Sequence, residues 1–169
     1  MDLESAIHTR RTHKVYGSEA VPREVLDELF ELARWAPNHH VTQPWRFRVL
    51  GPQSLERLKE ATGEANAHKF DRAPTLVCVS TLRQGDPIED EEDFAATACA
   101  AFIVLLAAHD KGLATYWRTP AILREDAGRE ALGVPENEVV IGLLHLGPKR
   151  QEQQPPERDP VEDFVTYLD

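Results

Sequence analysis

From Phe94 to Ala108 the chain runs for 15 residues without a charge. The run is shorter than the roughly 20 apolar residues that a bilayer span needs. It reads as a helix buried on most of its sides. A helix of that kind must be covered by other apolar elements, or part of the core must be shared with a second chain. Five acids, Glu89-Asp90-Glu91-Glu92-Asp93, stand just before it. Negative charge is favourable at a helix N-terminus, which explains them without a bound cation. Lys111-Gly112 closes the other end with a cation and a capping glycine.

The flanking sequence supplies both helices and strands. Leu3 to Thr9 reads as a short helix. Pro22 opens a second, in which Val25, Leu29, Leu32 and Ala36 recur at helical spacing until Pro37 stops it. Trp45, Phe47 and Val49 alternate with Arg46 and Arg48, the period of a half-exposed strand. Gln53 to Thr62 reads as a helix capped by Gly63. Pro74 to Ser80 is a continuous apolar strand, covered on both faces, and Thr81 to Asp90 reads as a polar connection. A strand at Leu113–Trp117, a helix at Ile122–Leu132 and a strand at Val139–Leu146 complete the pattern. The fold class is α/β or α+β with about four strands. From Pro148 to Asp169 the chain becomes an extended polar arm, ending in the apolar Phe164-Val165-Thr166-Tyr167-Leu168. The 169 residues suit one domain, 1–169, with 148–169 as its arm.

Composition narrows the function. Nineteen Lys and Arg against 29 Asp and Glu give a net charge of −10, which argues against nucleic acid as a partner. Met1-Asp2-Leu3-Glu4 lacks the basic-then-apolar plan of a signal peptide. Cys78 and Cys99 lie in apolar surroundings and read as buried free thiols, in keeping with a cytoplasmic setting and no membrane. Seven histidines include no zinc-ligand spacing, so no metal site is expected. Glycine-rich phosphate loops and the serine elbow of hydrolases are also missing.

Three clusters can carry chemistry. Arg10-Arg11-Thr12-His13-Lys14 concentrates positive charge in an acidic protein; it is either a phosphate cradle or a solvated basic turn. Ala36 to Trp45 passes between two prolines through Asn38, His39, His40, Thr42 and Gln43; it is either a site-forming junction or a structural turn. Tyr116-Trp117-Arg118-Thr119-Pro120 brings an aromatic, a cation and a hydroxyl to a strand end; it is either a ligand border or a core Trp beside a surface Arg.

Taken in order, these pieces resemble the FMN-dependent nitroreductase family. The resemblance rests on Arg10-Arg11-Thr12 with Lys14, Ala36-Pro37, Gln43-Pro44-Trp45, His109-Asp110-Lys111-Gly112-Leu113, Trp117-Arg118-Thr119, Leu132-Gly133-Val134-Pro135 and His145-Leu146-Gly147-Pro148. It covers nearly the whole chain, and the length and the C-terminal Phe164-Val165-Thr166-Tyr167 are most similar to the short branch. It implies an α+β three-layer fold, a mostly antiparallel sheet flanked by helices, in an intertwined homodimer with FMN at the subunit interface. It further implies that Arg10, Arg11 and Thr12 hold the FMN phosphate and ribityl chain, with Arg158 as a late phosphate-binding residue. Lys14 is implied at the flavin pyrimidine edge, His39 and Gln43 from the other subunit, and Trp117, Arg118 and Thr119 at the isoalloxazine and phosphate. Thr12 stands where Ser is commoner, Val41 where many relatives carry Asn, and Trp35 where short relatives can carry Arg. The implied activity is an NADH- or NADPH-dependent reduction of small acceptors such as nitroaromatics and quinones. Another redox use of the same flavin site, or flavin storage without turnover, are the alternatives.

Overall fold

A computed structural model describes residues 1–168. Its centre is a sheet of four strands, β1 (Trp45–Val49), β2 (Thr75–Leu82), β3 (Leu113–Arg118) and β4 (Glu138–Pro148), in the order β1-β2-β4-β3. Every neighbouring pair is antiparallel. The two central strands supply the core. In β2, Val77 and Val79 face one helical layer, while Leu76 and Cys78 face the other. Because side chains alternate along a strand, an unbroken apolar run is what a strand covered on both faces requires.

The first layer holds α2 (Arg23–Ala33) and α5 (Pro87–Asp110). Leu26, Leu29 and Ala33 of α2 pack with Ala100, Ala101, Val104 and Ala108 of α5 against Val77, Val79, Leu144 and Leu146. The small residues of α5 let the helix lie close to the sheet. The second layer holds α3 (Pro52–Thr62), α4 (Glu64–Ala67) and α6 (Asp126–Ala131) with short 3-10 turns. Here Leu58, Phe70, Ile122, Leu123 and Leu132 cover Leu76, Cys78 and Leu143. A short N-terminal helix, α1 (Leu3–Thr9), is joined to the C-terminal end of α5 by a 2.8 Å hydrogen bond between Thr9 Oγ1 and His109 Nε2.

The expected three layers and mostly antiparallel sheet are present, with local differences. α2 ends at Ala33, not Pro37, because Arg34 to Ala36 close it in tight turns. β2 continues through Thr81 and Leu82, which pair with Val139 and Glu138. Thr81 is buried there, its hydroxyl donating to the Asp93 carbonyl at 3.2 Å. The expected helix 122–132 is split into a 3-10 turn at Ala121–Arg124 and α6, with Glu125 extended between them. Gly128 lies so close to the Ile122 carbonyl that a Cβ would come within 2.0 Å of its oxygen. The acidic run falls inside the first turns of α5, whose N-cap is Asp86; its carboxylate accepts from the Ile88 and Glu89 amides. Cys78 is buried as expected, but Cys99 is exposed on the outer side of α5.

One ion pair ties the sheet together laterally. Arg48 on edge strand β1 reaches past β2 to Glu138 on β4, with Nη1 and Nη2 donating at 2.7 and 2.9 Å. Ser80 of β2 donates to the same carboxylate at 2.5 Å. Burial raises the Glu138 pKa, but the bonds from Arg48 and Ser80 outweigh it and leave the carboxyl below its ordinary value. Removing one partner of such a pair strands the other charge in the interior. Arg48→Met is expected to cost about 3 kcal/mol in urea unfolding. The double change with Glu138→Leu is expected to recover most of that loss.

Candidate functional site

Segment 10–17 leaves α1 and lies along the edge of the sheet. Thr12 bridges Thr115 in parallel, the His13 amide donates to the Thr115 carbonyl at 2.9 Å, and Tyr16 bridges Lys149. This path collects positive charge. Burial, then the charges of Arg11 and Arg158, hold the Arg10 pKa below its ordinary value, so both lie within electrostatic reach of it. Among the described residues, none of the three forms a salt bridge with a carboxylate. Arg11 Nη1 donates to the Arg10 carbonyl at 2.8 Å, while its buried Nε has no partner. His13 is buried with neither ring nitrogen bonded. Its pKa is lowered, chiefly by burial and also by Lys149 and Arg10. His109 is lowered by burial and by Lys149, Arg10, His13 and Arg11. Arg10, Arg11 and Arg158 thus concentrate positive charge within a protein of net charge −10, and the carboxylate that acts on the neighbouring His13 and His109, Glu152, is paired with Lys149.

Lys14 is exposed beyond this corner. At the far end of β3, Trp117 lies on Gly142, and its indole Nε1 donates to the Ile141 carbonyl at 3.2 Å. A Cβ on Gly142 would come within 2.1 Å of that nitrogen, so only glycine leaves the indole its place. Arg118 turns to the opposite face, 5.9 Å from the centre of the Tyr116 ring. It lines a cleft of about 320 Å³ with Thr62, Asn66, Lys69 and Glu125. Lys69 Nζ donates to Asn66 Oδ1 at 2.6 Å within that cleft. Asn66 and Lys69 were not anticipated from the sequence; the helix-capping Gly63 is the nearest signal that the chain turns back there. Thr119 is exposed and faces a second cleft with Phe94, Leu123 and Gly142.

His39 and Gln43 lie elsewhere. They occupy the α2–β1 junction, packed on the first turns of α5, with His39 Nδ1 3.5 Å from Glu92. Arg10 adjoins His109 in the last turn of the same helix. At about 1.5 Å of rise per residue, those two ends of α5 are roughly 25 Å apart. The structure therefore gathers Arg10, Arg11, Thr12 and Arg158 in one region, Trp117 and Arg118 along β3, and His39 with Gln43 at a distance. Trp35 and Val41, both exposed, flank the junction.

Comparison with known proteins settles the lineage. The nitroreductase family model matches residues 7–69 and 61–148. The chain belongs to the nitroreductase family. A Bacillus subtilis protein, provisionally named NAD(P)H nitroreductase YfhC, is 26% identical over 98% of this chain and 94% of its own length. The crystal structure of a nitroreductase-like protein from Bacillus cereus superposes with a TM-score of 0.91 at 22% identity, covering 99% of this chain and 96% of the other. A Desulfovibrio desulfuricans protein, provisionally named a nitroreductase and solved in complex with FMN, matches with a TM-score of 0.82 at 26% identity. That match covers 98% of this chain and 96% of the other.

The nitroreductase family chain also carries a buried titratable group beneath the Arg118 face. His145 is nearly inaccessible, and burial, then Arg118 and Arg72, lower its pKa to about 3. In the unfolded chain the imidazole titrates near its ordinary value of 6.5. Between pH 6.5 and about 3 the unfolded chain takes up a proton that the folded chain refuses, so stability falls as the pH falls through that window. His145→Gln is expected to flatten the pH dependence of urea unfolding between pH 6.5 and 4.5 by up to about 1.4 kcal/mol per pH unit.

Proposed function

We propose that this protein is an FMN-dependent oxidoreductase working as a homodimer. NADH or NADPH delivers its reducing equivalents and departs, and a nitroaromatic, quinone or similar small acceptor then takes its place, a ping-pong sequence. One observation carries the reading: Arg11, half-buried like Arg10, and the exposed Arg158 lie within electrostatic reach of Arg10, and none of the three forms a salt bridge among the described residues. A phosphate monoester fits that donor set in charge and in hydrogen-bonding capacity. The family membership and the FMN-bound relative point to the same ligand. FMN supplies the hydride and electron chemistry, and the chain supplies binding and orientation.

In this reading Arg10, Arg11 and Arg158 hold the phosphate, and Thr12 lies beside the ribityl chain. Lys14 stands near the pyrimidine edge, where a cation stabilises negative charge gained on reduction. Trp117, Arg118 and Thr119 border the ring system. His39 and Gln43 come from a second copy, because the length of α5 separates them from Arg10 in their own chain. The outer face of α5 supports that arrangement: Phe94, Cys99 and Phe102 are exposed on it without a charge between them. An open apolar helix face is a surface for association. Residues 1–169 form one domain, and the arm from 148, with Phe164, Tyr167 and Leu168 exposed, extends over the partner. The compartment is the cytoplasm. α5 is long and apolar enough to cross a membrane, but half of its apolar window is buried within the fold, as in a core helix.

Binding and turnover test this directly. The protein is expected to bind FMN more tightly than riboflavin, and Arg10→Ala is expected to lose at least tenfold in FMN affinity while leaving riboflavin nearly unchanged. Anaerobic NADH or NADPH should bleach the bound flavin; failure of both would remove the reductase assignment and leave flavin storage. Lys14→Ala is expected to lower the midpoint potential of the bound flavin, and an unchanged potential would remove Lys14 from the pyrimidine edge.

A further inference from the structure

Between Asn38 and Pro44 the backbone takes a shape that few side chains accept. His40, Val41 and Gln43 have φ values of 50, 56 and 47°, and none of them is glycine. Val41 is branched at Cβ, which makes the left-handed region especially unfavourable to it. Three consecutive or near-consecutive residues of this kind persist only where surrounding groups over-determine them.

Several of those restraints are internal to the junction or come from β1 and β2. Asn38 Oδ1 accepts from the Gln43 amide at 2.9 Å, and the Thr42 amide donates to the His39 carbonyl at 3.1 Å. Arg46 Nη1 donates to the Gln43 carbonyl at 3.0 Å, and the Leu82 amide to the Pro44 carbonyl at 2.9 Å. Two contacts tie the junction to α5. His39 lies 3.5 Å from Glu92, but both side chains are about half exposed, so that contact is weakened by solvent. The other is of a different kind. Thr42 Oγ1 donates to Asp93 Oδ1 at 2.6 Å, and Asp93 is 1% exposed. Thr81 of β2 holds the Asp93 backbone through its carbonyl at 3.2 Å. The second carboxyl oxygen, Oδ2, is buried without a partner, so the Thr42 hydroxyl is the side-chain donor that satisfies this buried group.

We propose that Asp93 is the positioning residue of the flavin site. Through Thr42 its buried carboxylate fixes the junction on α5 and sets where His39 and Gln43 are presented to the second copy. Asp93 touches no ligand itself. Burial makes this tie stronger than a surface pair and much less sensitive to salt, which suits a segment whose own backbone preference opposes its shape. The inference rests on the reading of His39 and Gln43 as partner-side flavin contacts, and it adds a residue that acts through them.

Thr42→Val keeps the branched shape and removes the donor, and Thr42→Ser restores the hydroxyl. Hydrogen–deuterium exchange of the flavin-free full-length protein reads the tie alone: amides of 38–43 are expected to exchange at least tenfold faster in Thr42→Val and within twofold of wild type in Thr42→Ser. FMN titration and steady-state kinetics read the consequence. Thr42→Val is expected to weaken FMN binding about tenfold and to alter the visible circular dichroism of the bound flavin, with Thr42→Ser restoring both. Asp93→Asn keeps an acceptor without the charge and is expected to fall between the two. Unchanged exchange in Thr42→Val would overturn the inference whatever happens to FMN. Faster exchange with unaltered FMN affinity and dichroism would also overturn it, by showing that the junction does not present flavin contacts. If wild-type protein bound no FMN, the functional reading would fall instead, and the exchange result would still decide whether Asp93 anchors the junction.

Discussion

Everything in this molecule is arranged around one apolar helix that runs the length of the sheet. α5 can lie close to β2 and β4 because its buried side is built from Ala96, Ala100, Ala101, Val104 and Ala108. That closeness makes it a rigid spacer with chemistry fixed at each end. At its C-terminal end, His109 bonds Thr9 and brings α1, and with it the Arg10 corner, to a defined place. At its N-terminal end, Asp93 bonds Thr42 and holds the α2–β1 junction. Two groups of polar residues that are far apart in one chain are thus held at a constant separation. In the homodimer proposed above, a two-fold arrangement of two such helices would bring one group of each chain to the other group of its partner.

Much of this was legible in the sequence, for reasons that can be stated residue by residue. The unbroken run Leu76-Val77-Cys78-Val79 required a strand covered on both faces, and the structure has one. The uncharged run from Phe94 required a core helix. What escaped were features created by tertiary contact. The split of the 122–132 helix comes from the approach of Gly128 to the Ile122 carbonyl, which no local periodicity encodes. Thr81 read as part of a polar connection because its hydroxyl partner, the Asp93 carbonyl, lies twelve residues away. Cys99 read as buried because its neighbours are apolar, but that side of the helix is left open by the described residues.

The candidate site was legible in a different way. Each single cluster left a structural and a functional reading open, and their order along the chain points to a family. The structure adds what order alone cannot supply. It places Arg158, distant in sequence, within the electrostatic reach of Arg10, and it separates His39 from both. It also brings forward Asn66 and Lys69, carried by short helices with little sequence signature, beside Arg118. The protein is acidic overall, yet among the described residues no carboxylate forms a salt bridge with Arg10, Arg11 or Arg158, and the acid beside that corner, Glu152, is taken up by Lys149.

The contact between Trp117 and Gly142 has a consequence for how this chain can diversify. With the indole resting directly on the Cα of Gly142, strand β4 and the Trp117 ring share a space that admits a hydrogen atom and nothing larger. Mutational drift at position 142 is closed unless the indole itself is lost. Side-chain variation that leaves the sheet intact must therefore arise at positions that bear no such load. The exposed side chains of Trp35, Val41 and Thr119 are free to change without disturbing the sheet. The sheet thus fixes one contact tightly while leaving the side chains at its margins room to vary.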